Sequence, residues 1–186
     1  FTAFMLLTPN SKNIFSAMAI EYLAANQYLS VGDRRLLIMG KINRLIEVIS
    51  EEEENVKIEI HAYSFGSVLA IDALFPFEAE PNFRIKNNIS RLITIGCPFD
   101  FIEIYWSRYF SDRKYSKLAL SQWINIYSDL DVLSTKFDGY PVKQTMFINT
   151  KEFWESMESI DVAYNMVNPK RVSFLQMLMF YGLKAH

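Results

Sequence analysis

Residues 56–76 constrain the fold of this chain more than any other stretch. Val56-Lys57-Ile58-Glu59-Ile60 alternates apolar and charged side chains, which is the period of a β-strand. A helical pattern starts at Ser64 and runs to Phe75. Pro76 ends it, because proline has no N–H to donate and its ring clashes with the preceding turn. Only His61-Ala62-Tyr63 lies between the alternating run and Ser64. The chain therefore passes from strand to helix with almost no loop. Such a corner crowds its own backbone, and the positions two before and two after Ser64 are the small residues Ala62 and Gly66. A strand feeding straight into a helix is the unit from which α/β sheets are built.

The same alternation continues along the chain. Helical patterns cover about 14–29 and 33–49. In the second, Ile38, Ile42, Leu45 and Ile49 recur at spacings of four, three and four, one apolar helix face, and Asp33 is placed to cap it. Glu51 to Glu54 reads as a solvated acidic run, since neighbouring carboxylates on a loop diverge rather than converge on a cation. Residues 76–89 read as a polar loop and Leu92 to Gly96 as a second, more buried strand. Phe101 to Phe110 reads as an aromatic-rich helix, and Trp123 to Tyr127 as a third strand. Residues 134–150 read as loop, with a turn at Asp138-Gly139. Helical patterns follow over about 151–165 and 170–181, the latter stopped by Gly182. Lys57 and Glu59 put charges on a strand expected to be central, which suits a stretch emerging from the sheet. The pattern predicts an α/β fold of one domain with a mostly parallel sheet flanked by helices. Residues 1–32 can also be read as a separate helical segment.

With 186 residues, half of them hydrophobic (51%), the chain can bury a full core and is not disordered. Acids (21) and bases (19) are interspersed, for a net charge of −2, so nothing draws it to nucleic acid or anionic lipid. The single cysteine, Cys97, precludes an internal disulfide and is compatible with a reducing compartment, so a cytoplasmic setting is favoured. No apolar run is long enough to predict a membrane span. No feature implies a cofactor or metal, and none bears on oligomeric state. Ser64-Phe65-Gly66-Ser67 lacks the lysine and extra glycines of a phosphate-binding loop.

Ser64 is the residue on which chemistry would centre. A serine hydroxyl is a weak nucleophile at neutral pH and needs exposure, a base and a site for the developing oxyanion. The tight corner supplies exposure. The backbone N–H of Phe65, at the helix N-terminus, can face an oxyanion with the helix dipole behind it. The plainer alternative is an N-cap serine on an ordinary helix. Of two histidines, His61 sits on the strand, where alternation sends it to a sheet face, which leaves His186. Cys97 lacks a local base and precedes Pro98, so it reads as a small packing residue. Met166, Met177 and Met179, with Phe174, Phe180 and Tyr181, read as core, or alternatively as an acyl pocket or lid.

Taken together these residues resemble the α/β-hydrolase family over about residues 33–186. Ala62-Tyr63-Ser64-Phe65-Gly66 is similar to the family's Gly-x-Ser-x-Gly elbow, with alanine in the first place. Leu92 to Pro98 resembles the next strand, which often ends in Gly-small-Pro. Trp123 to Tyr127 followed by Asp131-Val132 resembles the strand that delivers the acid. Ser64, Asp131 and His186 stand in the family's chain order of serine, acid, histidine. The resemblance implies a three-layer α/β sandwich and a triad in which Ser64 attacks, His186 is the base and Asp131 orients it. Asp129, two residues earlier, is the competing acid. It also implies that the early strands lie outside this sequence. Thr8-Pro9-Asn10-Ser11 stands where the family's oxyanion loop would be but does not match it, so no second oxyanion donor is assigned. The expected activity is hydrolysis of a small-molecule or lipid-like ester or thioester. A non-catalytic binding module and an acyltransferase using the same triad are the alternatives.

Overall fold

A computed structural model describes residues 11–30, 32–53, 55–77, 79–107, 109–110, 113, 119–131, 133–137, 158–164 and 173. By backbone proximity the chain divides into two compact units, Phe1–Ile38 and Met39–His186. In the first, helix α1 spans Ser11–Ser30. Helix α2 spans Gly32–Glu52, with Asp33 in its first turn, where a carboxylate complements the helix dipole. The part of α2 in the second unit buries Ile46 and Ser50 and half-buries Ile42 and Ile49. Leu45, expected on the apolar face, is exposed. The packed stripe is rotated by one residue, following the i, i+4, i+7, i+8 rhythm of a helix face.

The second unit is built on strands β1 (Ile58–Tyr63), β2 (Ile89–Ile95), β3 (Gln122–Tyr127) and β4 (Glu158–Ala163). They form one sheet in the order β1-β2-β3-β4, and every pair is parallel. Helices α3 (Phe65–Leu74), α4 (Phe83–Asn88) and α5 (Phe99–Tyr105) flank it. The α/β expectation is met.

Register explains the side-chain pattern. Ile60, Leu92 and Trp123 are aligned across three strands, and Ala62, Thr94, Asn125 and Asp161 across four. This face is buried at Leu92, Trp123, Ala62, Thr94 and Asn125. Helix α3 packs on β1 and β2 and buries Val68, Ile71 and Leu74. Phe75 stacks on Trp123 with ring centres 6.0 Å apart. Phe137 meets Trp123 edge-on at 5.4 Å, and Phe99 stacks on Phe110 at 4.2 Å. Trp123, Phe75, Phe99 and Phe110 are among the largest fully buried side chains, and Phe137 ties the segment after β3 to the sheet.

Arg113 is fully buried. Its guanidinium meets the Asp72 carboxylate at 2.6 Å and donates to the carbonyl oxygens of Phe75 and Tyr109. Tyr109 donates its hydroxyl to the other Asp72 oxygen.

Three local expectations change. Residues 158–163 form a strand, although the sequence pattern predicts a helix over about 151–165. Parallel pairing to β3 decides the conformation, and Ser159-Ile160-Asp161-Val162 has the matching period of two. Strand β2 begins at Ile89, and α4 occupies the stretch expected to be loop, capped by the Asn82 side chain accepting from the Arg84 N–H. Helix α5 runs Phe99–Tyr105, shorter than expected. Glu59, which looked out of place on a central strand, lies on the exposed side of β1. There it pairs with Arg91 of β2 at 2.7 Å. Among the described residues β1 borders the sheet. The helix expected over 170–181 and the loop over 138–150 lie outside the described residues.

Candidate active site

Parallel strands send all their carboxyl ends to one edge, the edge where open α/β sheets bind their ligands. Ser64 leaves that edge one residue after β1, Gly96-Cys97-Pro98 follow β2, and Ser128 to Asp131 follow β3. β1 and β3 are two strands apart, about 10 Å at normal spacing.

Ser64 has φ 51° and ψ −126°. A positive φ is uncommon for any residue with a Cβ, and this combination with a strongly negative ψ falls outside the usual left-handed region. Two hydrogen bonds hold it there. The Ser64 N–H donates to the Ile95 carbonyl at 2.8 Å, and its own carbonyl accepts from the Ser67 N–H at 2.9 Å. The Ser64 side chain makes no capping bond to α3, which removes the ordinary N-cap reading. The corner is closed from within by Ser67, fully buried, whose hydroxyl donates back to the Ala62 carbonyl at 3.0 Å. The need for a small residue therefore falls on Ala62 and Ser67. It does not fall on Gly66, where an added Cβ would meet nothing within 4 Å. Gly66 sits on the open side of the first turn, so the crowding expected there is absent.

Phe65 is the first residue of α3, a ten-residue helix. Its backbone N–H belongs to the turn whose amides have no acceptor within the helix itself. Gly96, with φ 62°, reverses the chain after β2 and donates its N–H to the Ile126 carbonyl at 2.9 Å.

The two candidate acids separate clearly. Asp131 is buried (5% exposed) and Asp129 is exposed. Asp131 is held at both ends of its own turn. Its N–H donates to the Ser128 carbonyl, its carbonyl accepts from the Ser134 N–H, and its Oδ1 accepts from the Leu133 N–H at 3.0 Å. His186 lies outside the described residues.

His61 is on the exposed side of β1 with Glu59 at 3.8 Å, a sheet-face position as its alternation requires. Cys97 is fully buried. Burial pushes its thiol up to about 12, against the smaller opposite pull of the Phe99 backbone and the neighbouring Ser67 side chain. It is a packing residue, protonated at neutral pH. Burial also raises the carboxyl of Asp100, with the Thr135 hydroxyl pulling the other way.

A polar cavity of about 360 Å³ lies at the other end of the strands, lined by Ser50, Glu51, Glu53, Asn55, Arg84 and Asn88. It is separated from Ser64 by the roughly 20 Å length of β1. Among the described residues, no cluster of three His, Cys, Asp or Glu is set to hold a metal. No helix there is long and apolar enough to cross a membrane. No protein-family model, curated protein or solved structure matches the chain.

Proposed function

We propose that this protein is a serine hydrolase that cleaves an ester or thioester through an acyl-enzyme intermediate. The observation that carries the reading is the backbone of Ser64. A costly conformation is maintained at one serine, at the tip of a parallel strand, on the edge where α/β sheets place their ligands. An ordinary helix cap does not require that strain. Asp131, buried two strands away on the same edge, supports the reading as the acid.

In the proposed reaction the Ser64 hydroxyl oxygen bonds to the substrate's carbonyl carbon while its proton passes to the base, assigned to His186. The carbonyl oxygen becomes an oxyanion, stabilised by the Phe65 N–H and the positive end of α3. Asp131 orients the histidine and stabilises its protonated form without taking the proton. Collapse breaks the bond to the alcohol or thiol, which leaves with the proton from the base. Water then repeats the sequence on the acyl-serine and releases the carboxylic acid.

The test is hydrolysis of p-nitrophenyl esters of increasing chain length by the full chain. Wild-type protein should turn over at least one of them. Ser64→Ala should lose about 10³-fold or more at unchanged fold. A Ser64→Ala protein that hydrolyses at the wild-type rate would overturn the proposal.

A further inference from the structure

We infer that Asn125 is a positioning residue for Asp131, an inference that rests on the hydrolase reading above. Asn125 is in the middle of β3, with Thr94 beside it on β2 and Asp161 on β4. Its side chain is buried (2% exposed) and every polar group of its amide is used. The amide nitrogen donates to the Thr135 carbonyl at 2.9 Å and to Asp161 Oδ1 at 2.7 Å. The amide oxygen accepts from the Thr94 hydroxyl at 3.0 Å. That hydroxyl is fixed in turn, because the Trp123 indole N–H donates to it at 3.0 Å. Only one orientation of the amide fits, since turning it over would aim its oxygen at a carboxylate and a carbonyl.

What this arrangement holds is the segment carrying Asp131. Thr135 is the far anchor of that segment and is itself buried. Besides accepting from Asn125, Thr135 donates its N–H to the Cys97 carbonyl at 2.9 Å, and its hydroxyl accepts from the Asp100 N–H at 2.8 Å. The near anchor is the end of β3, where Ser128 bonds both Asp131 and Ser134. Asp131 thus sits in a short turn pinned between the strand on which Asn125 lies and the residue that Asn125 grips. A core amide with only a packing role needs partners. It does not need to spend a donor on the loop that carries the acid.

Two variants of the full chain test this. Asn125→Leu keeps the volume and removes the donors. Asn125→Asp keeps the shape and offers at most one donor to two acceptors. The readout is the rate at which a fluorophosphonate phosphonylates Ser64, with loss of fluoride, in folded protein between pH 5 and 9, alongside Asp131→Asn and the double variant Asn125→Leu/Asp131→Asn. Asn125→Leu should slow phosphonylation about ten-fold or more and move the acid limb of the pH profile in the direction that Asp131→Asn moves it. Asn125→Asp should fall between it and the wild type. The double variant should be no slower than Asp131→Asn alone, because both changes act through one group. If Asn125→Leu is phosphonylated at the wild-type rate with an unmoved profile, or the two losses multiply, the inference is wrong and the hydrolase reading stands. If neither variant folds, Asn125 is a core residue and the inference is wrong. If wild-type Ser64 is not phosphonylated at all, the hydrolase reading itself fails.

Discussion

Replacing Ser64 by glycine and by alanine should give two proteins of measurably different stability, in an order opposite to the usual one. Alanine normally wins, because glycine loses more backbone freedom on folding, a difference of about 0.5–1 kcal/mol. At Ser64 the backbone stands at φ 51° and ψ −126°. A residue with a Cβ held in such a sparsely populated region carries about 1–3 kcal/mol of strain. Glycine is released from that strain and alanine is not. The neighbouring bonds to Ile95 and Ser67 are backbone bonds and survive either change. The net expectation is that Ser64→Gly exceeds Ser64→Ala by about 0.5–2 kcal/mol. For a chain of 186 residues that is a Tm higher by roughly 1–8 °C. Thermal and urea denaturation followed by circular dichroism read it directly. A Ser64→Gly protein equal to or less stable than Ser64→Ala would refute the claim that the fold holds strain at this residue.

Three further outcomes follow from the structure. Gly66→Ala should stabilise the protein by up to about 1 kcal/mol in urea titration, since the added methyl meets open space on a helix; a loss of stability would restore the crowding argument at that position. Arg113→Met leaves the Asp72 carboxylate buried without its guanidinium and should cost about 3–5 kcal/mol, a Tm lower by roughly 6–20 °C, with part recovered in Asp72→Asn/Arg113→Met. Cys97 should resist maleimide at neutral pH until the protein is unfolded, as read by intact mass. Its raised folded value means its contribution to stability is complete below the ordinary thiol range and is lost as pH rises toward about 12, a slope that Cys97→Ala should remove from the alkaline stability curve.

The features carried by local sequence were legible. The alternation ending at Ile60, the apolar run at Leu92–Ile95 and the break at Pro76 locate two strands and a helix, because each pattern records which side chains must be buried. What depended on partners was not. β4 looked helical because Glu158–Ala163 is too short to separate the two periods alone, and pairing with β3 decides it. Glu59 looked misplaced until its partner Arg91 was known. At the site, the Ser-small-residue corner pointed to Ser64, but its strained backbone is a property of the folded turn. Asp131 and Asp129 could not be separated by sequence, because burial after a strand depends on how the following loop folds back. Asn125 gave no signal at all. A polar residue in an apolar strand acquires meaning only from the neighbours that sheet register brings to it, here Thr94 and Asp161.

Ser64 is tested as a nucleophile most directly by covalent labelling of the folded full chain with a fluorophosphonate, followed by peptide mass spectrometry. One adduct is expected, on Ser64, abolished in Ser64→Ala and slowed by about 10²-fold or more in Asp131→Asn. Intact folded protein that takes no label at Ser64, or that labels equally fast without the Asp131 carboxylate, would contradict the proposed triad.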